Sequence, residues 1–239
     1  MNCKYHLLIL FCCVVFTSCS HLPGQYLNKR DPGFYTQKKD ANFKLAVEQS
    51  GIKNGVNIGG NYVLTDHLFL GADAGFHKRI LATSQFRMQG ISFRPVIGYF
   101  FDFGIDRAMY AEFHAGTGMQ FNSYSFKEYD QDLIHSGNVR PVQLYGGAFI
   151  GCRMDGKKIG FDIAYEHNFY NSPIKSYESG EDFNTEIYYF DVHKHSQIIN
   201  FSTSFYVSKS IRNVDIFFNP GLNIGYTGVF LRLGVVWKL

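Results

Sequence analysis

The sequence predicts an all-β chain: a closed, antiparallel, up-and-down transmembrane β-barrel of about ten strands, with eight as the runner-up. Three observations predict it. Apolar and polar residues alternate with a period of two along most of the chain beyond residue 41. The closing strand puts Val229, Leu231, Leu233, Val235, Trp237 and Leu239 on one face, with Arg232, Gly234 and Lys238 on the other. Short and long connections also take turns along the chain. Alternation over about eleven residues exceeds the usual strand of a soluble protein and suits a tilted bilayer crossing.

The chain opens differently. Lys4 precedes an apolar run from Leu7 to Phe16, and Thr17-Ser18 stands before Cys19. A charged start, a short apolar stretch and small residues before a cut site make a secretory signal, and the cysteine makes it a lipobox. The run is too short to span a bilayer as a helix. Residues 1–18 are therefore expected to be a lipoprotein signal peptide, with Cys19 the lipidated first residue, although Phe16 stands where Leu is commoner. Residues 19–41 carry turn signals without periodicity, Pro23-Gly24 and Asp31-Pro32-Gly33 among them, and read as a lipidated tether. Residues 42–239 then form the barrel. Cys3, Cys12 and Cys13 leave with the signal, so Cys152 has no intrachain partner. Cys152 lies on an apolar-facing strand position, which speaks against zinc binding or a nucleophile.

Within 42–239 the strands follow in order. Phe43, Leu45 and Val47 alternate with Lys44, Ala46 and Glu48. Val56 and Ile58, then Leu68 to Phe76, continue the pattern, opposed by Asn57, Gly59, Gly71, Asp73 and Gly75. Phe93, Ile97 and Tyr99 oppose Ser92, Arg94 and Gly98, and Phe113, Met119 and Phe121 oppose Glu112, His114 and Gln120. Four more follow around Leu144, Ile163, Phe205 and Ile216, and no window has a helical period. Leu64–His67, Asp102–Arg107, Met154–Lys157 and Ser208–Asn213 are short turns, the third holding the hairpin signal Asp155-Gly156. Between them lie longer polar segments: His77–Gln85, Asn122–Asn138 and Asn171–His195. Short turns on one side and long loops on the other describe a bacterial outer-membrane barrel. An even strand count puts both chain ends on the short-turn, periplasmic side, where Cys19 would anchor in the periplasmic leaflet.

Composition agrees: 24 Gly, 24 Phe and 16 Tyr with 18% charged residues suit a sheet protein, and the net charge of +3 is too small to argue for a nucleic-acid partner, so none is expected. The polar faces collect Lys44, Arg94, Arg153 and Arg232 with Glu48, Asp73, Glu112, Asp162, Glu166 and Asp215. If the apolar faces meet lipid, these ten meet in the lumen as an ion-pair ladder. An open aqueous channel commonly needs about sixteen strands, so filling is favoured over permeation. Catalysis would need a nucleophile and base. Tyr165-Glu166-His167-Asn168 and His193-Lys194-His195-Ser196 carry suitable types at undiagnostic spacing, His167 on the lipid side and His193 and His195 in a polar loop.

Asp31-Pro32-Gly33-Phe34, Lys39-Asp40-Ala41-Asn42, Tyr62-Val63-Leu64-Thr65-Asp66-His67-Leu68 and the Thr-Ser-Cys lipobox together resemble Bacteroidota-type outer-membrane β-barrel lipoproteins. The resemblance implies fold and location and assigns no activity. The expected role is structural or surface-binding and non-enzymatic, without a cofactor or metal. A small-solute channel is the alternative, and a lipid-modifying enzyme the second. Expected partners are outer-membrane lipid, the barrel-assembly machinery and an unidentified extracellular ligand.

Overall fold

The computed structural model describes residues 31–50, 53–80, 87–127, 134–169, 175–178, 188–191, 197–223 and 228–239. The first four strands are β1 (Ala41–Ser50), β2 (Lys53–Val63), β3 (Leu68–Ile80) and β4 (Arg87–Phe103). After a 3-10 turn at Ile105–Arg107 come β5 (Met109–Lys127), β6 (Ile134–Val139), β7 (Val142–Met154) and β8 (Lys157–Phe169). A hairpin of β9 (Lys175–Glu178) and β10 (Tyr188–Asp191) stands apart. Then β11 (Gln197–Ile211), β12 (Val214–Asn223) and β13 (Gly228–Lys238) complete the chain.

Every strand pairs antiparallel with its neighbour, and β1 pairs with β13, so the sheet closes on itself. β6 and β7 are one strand. Asn122 faces Val139 and Met119 faces Val142, a single unbroken register along β5. Only Arg140-Pro141 interrupts it, because proline has no amide hydrogen to donate. The barrel is therefore ten-stranded, as the alternation predicts. One circuit of the pairing advances the register by about 12 residues, which corresponds to strands tilted by about 40°.

Side chains alternate across the wall. In β1 Phe43, Leu45 and Val47 are exposed on the outside, whereas Lys44, Ala46 and Glu48 are buried inside. Two interior aromatics lie flat because glycines make room. A Cβ on Gly160 would come within 2.2 Å of the Phe149 ring, and one on Gly98 within 2.1 Å of Phe69. The β7–β8 turn has Asp155 at φ 41° and Gly156 at φ 73°, the left-handed pair that a two-residue hairpin of matching twist needs.

Three segments expected as loops begin or end in strand. β3 runs to Ile80, β5 to Lys127, and β6 begins at Ile134, so the hairpin over Asn122–Asn138 rises beyond β8. Within Asn171–His195, β9 and β10 pair. β11 likewise continues to Ile211, leaving Arg212-Asn213 as the turn instead of Ser208–Asn213. The reason is common to all: a strand outside hydrocarbon needs ladder hydrogen bonds but no apolar face, so alternation fades before pairing does.

Residues 31–35 are a further correction, because they do not act as free tether. Asp31, Pro32, Phe34 and Tyr35 are buried. The chain then turns at the barrel mouth, where the Asp40 carboxylate accepts the Thr36 and Gln37 amides at 2.8 and 3.1 Å, and leads into β1.

Candidate functional site

The lumen is where this fold gathers its polar chemistry. Phe34 is 4% and Tyr35 2% exposed, and their neighbours come from strands all round the barrel. Phe34 stacks on Tyr110 of β5 at 4.9 Å and meets Phe149 of β7 at 5.2 Å and Tyr206 of β11 at 5.8 Å. Tyr35 lies 4.9 Å from Phe69 of β3 and 5.1 Å from Phe100 of β4. Only a segment inside the barrel touches so many strands. The short-turn end of the lumen is thus an aromatic seat filled by the chain itself.

Charges fix that segment from above and below. The Asp31 carboxylate lies 3.1 Å from the Arg232 guanidinium, which also faces Glu48 at 3.6 Å. The Gly33 amide and the Tyr110 hydroxyl both donate to one Glu112 oxygen, at 2.8 and 2.7 Å. Arg153 donates to Asp102 at 2.6 Å and to the Tyr35 carbonyl at 2.7 Å, its guanidinium 5.0 Å from the Tyr110 ring. Lys158 pairs with Asp215 and stands 4.9 Å from the Phe34 ring, and Lys238 joins Asp215 at 3.2 Å. Asp31, Arg232, Glu48, Glu112, Lys158 and Asp215 are buried, and a buried charge is costly unless it is paired.

Farther toward the loop side the interior stays polar. Lys44 pairs with Asp73 at 2.6 Å. Arg94 lies 4.0 Å over the Tyr145 ring with Glu166 at 3.9 Å, and Gln143 donates to Glu166 and to Asn168, the latter at 2.6 Å. His77 meets Asn122 at 2.9 Å. Asp162 is buried on β8, between these layers and the aromatic seat.

All ten charges named from the sequence occupy interior positions, nine of them buried and Arg153 half-buried at the short-turn end. Sequence reasoning missed Asp31, Asp102 and Lys158. Extending the alternation by one step would have found the last two, since Lys158 shares a face with Gly160 and Asp162 and Asp102 with Phe100. His167 points outward, stacked on Phe169 at 4.2 Å with the Tyr165 hydroxyl 3.2 Å away. His193, His195 and Cys19 lie outside the described residues. Cys152 is a free thiol on the outer face. Among the described residues, no three His, Cys, Asp or Glu side chains gather in a way that could hold a metal ion.

The outer face is the inverse of the lumen. Phe113, Ile163, Phe201, Phe218 and Leu233 stand exposed on it. Among the described side chains, charged ones on the outer face occur only near strand ends: Lys157 and Lys209 toward the short turns, Lys78 and Arg140 toward the loops. Phe43 and Trp237, 5.7 Å apart, belong to an aromatic rim at the short-turn end, and His167 and Phe169 to one at the other. An uncharged belt between aromatic rims is what hydrocarbon selects.

No family model and no curated protein sequence matches the chain. Its fold is similar to that of the β-domain of the Bordetella autotransporter Brka, with a TM-score of 0.50 and 8% identity over 84% of this chain and 100% of that one. An outer membrane channel from Pseudomonas putida F1 matches with a TM-score of 0.46 and 9% identity, covering 88% of this chain and 100% of that one. The translocator domain of the autotransporter NalP from Neisseria meningitidis matches with a TM-score of 0.44 and 11% identity, over 84% and 87%. At these identities the likeness is one of fold.

Proposed function

We propose that the protein is a bacterial outer-membrane barrel with a structural or surface-binding role, closed by its own residues 31–35 and performing no catalysis. The observation that carries this reading is the seat of Phe34 and Tyr35 among rings from β3, β4, β5, β7 and β11. A ten-stranded wall leaves a lumen little wider than its own side chains. An inserted segment with two aromatic rings and the Asp31–Arg232 pair then takes up the space through which a solute would pass. The uncharged belt supports the membrane location, and the side of the short turns supports a periplasmic mouth for the seat. Cys19 as a lipid anchor in the periplasmic leaflet, and membership of the Bacteroidota-type lipoprotein group, belong to the same proposal.

Planar-bilayer recording of the full chain tests it. Silence at moderate voltage is expected. Regular unitary conductance steps from the unaltered protein would replace the structural reading with the small-solute channel.

A further inference from the structure

Four strands carry a matched pair of rows on their outer face at the loop end. Lys78 of β3 faces Gln89 of β4, which faces Ser123 of β5, which faces Asn138 of β6. All four are outward and at least partly exposed. One pleat lower, Phe76 faces Ile91 and Ile91 faces Phe121. Lower again, Phe93 faces Met119 and Met119 faces Val142. The polarity of the surface therefore changes within one side-chain step, in register across the strands. A hydrogen-bonding shelf of amide and hydroxyl groups sits directly on an apolar wall.

Two cations lie at its edges, Lys78 in the shelf row itself and Arg140 one pleat lower, in register with Phe121. Arg140 stands exposed at one flank with its guanidinium 5.8 Å from the Phe121 ring, and Lys78 stands exposed at the other. Among the described residues neither forms an ion pair, and no described carboxylate shares the outer face of these strands. Adjacent strands lie about 4.8 Å apart, so the flanks are separated by about 14 Å. Two exposed cations on strands that far apart, with neutral donors and acceptors between and apolar side chains beneath, match a headgroup bearing two phosphates on a sugar core above acyl chains.

We propose that this face of β3 to β6 binds a phosphorylated glycolipid of the lipid A class, its phosphates at Lys78 and Arg140 and its acyl chains along Phe76, Ile91 and Phe121. The proposal rests on the reading above, because the loop end must lie in the outer leaflet. The Arg140 guanidinium is within reach of the Phe121 ring, and long cationic side chains at a membrane interface keep their charge at the headgroups while their stems cover apolar surface.

The test uses the folded full chain in detergent micelles and native mass spectrometry with bisphosphorylated lipid A, its dephosphorylated form or phosphatidylethanolamine. A preference of at least about tenfold for the bisphosphorylated lipid is expected, equivalent to one decade in Kd. Lys78→Ser with Arg140→Ser should abolish the preference, and Lys78→Arg with Arg140→Lys should keep it. Both positions are on the surface, and the heat-modifiable migration of folded barrels checks each variant. Equal retention of all three lipids, or a preference that survives the double serine variant, overturns the proposal. Binding in micelles reads the site wherever the chain resides, so failure here leaves the outer-membrane reading to its own tests.

Discussion

The Asp31 carboxylate lies 3.1 Å from the Arg232 guanidinium, so the segment ahead of the first strand is held by the last strand of the barrel. Arg232 is 0% exposed and also faces Glu48 of β1, which pairs directly with it across the closing seam. One side chain thus neutralises two carboxylates where the barrel closes and where its lumen is filled. Arg232→Met removes the cation that both carboxylates face, and removing one partner of a buried ion pair costs about 3–5 kcal/mol. Urea unfolding from lipid vesicles should show a loss of that order. Adding Asp31→Asn and Glu48→Gln to Arg232→Met should recover part of it, and no recovery would mean that Arg232 acts through packing alone.

The aromatic seat makes a separate prediction. Phe34→Ala with Tyr35→Ala removes both rings from the lumen while the ladder hydrogen bonds of the wall stay intact. Planar-bilayer recordings of this variant should show conductance steps that the unaltered chain lacks. A silent variant would mean that the inward-facing residues of the wall close the lumen without help from this segment.

How much of this was legible beforehand follows from what each residue meets. Phe113 and Ile163 were placed correctly because hydrocarbon on one side and polar lumen on the other impose a strict period of two. The same rule put Glu112 and Asp162 inside. Phe34 and Tyr35 escaped it, because a segment threaded through a lumen is neither strand nor helix and has no period to read. Two adjacent aromatics after Asp31-Pro32-Gly33 were the available signal, since a solvated tether has no use for them. The end of β5 beyond Asn122 and β6 escaped for the opposite reason: they pair as strands, and backbone pairing by itself leaves no mark on composition.

Phe113 and Ile163 are 50% and 55% exposed on the outer wall. An arginine at either should cost about 2–4 kcal/mol near the bilayer midplane. Folding yield into vesicles, read by heat-modifiable migration, should fall for Phe113→Arg and Ile163→Arg. Thr117→Ser, on the same outer face, should fold normally. Equal yields for all three would place this face away from hydrocarbon.

Cys19→Ala should abolish incorporation of a clickable fatty acid while the barrel still reaches the outer membrane. The two outcomes separate because assembly depends on the β1–β13 seam, whose pairing runs from Asn42 to Ser50 and involves no residue near Cys19. Retained label in the variant would remove the anchor from the proposal.

The last prediction concerns which way the barrel points. The β9–β10 hairpin lies between β8 and β11 on the long-loop side, and the Asp155-Gly156 turn lies at the opposite end. An epitope inserted between Glu178 and Tyr188 should bind antibody on intact cells, and the same epitope at Asp155-Gly156 should bind only after the outer membrane is breached. The two insertions share a fold and an expression level, so their contrast reports orientation alone. The reverse pattern would put the seat of Phe34 and Tyr35, and both chain ends, at the cell surface. The Lys78–Arg140 shelf would then face the inner leaflet.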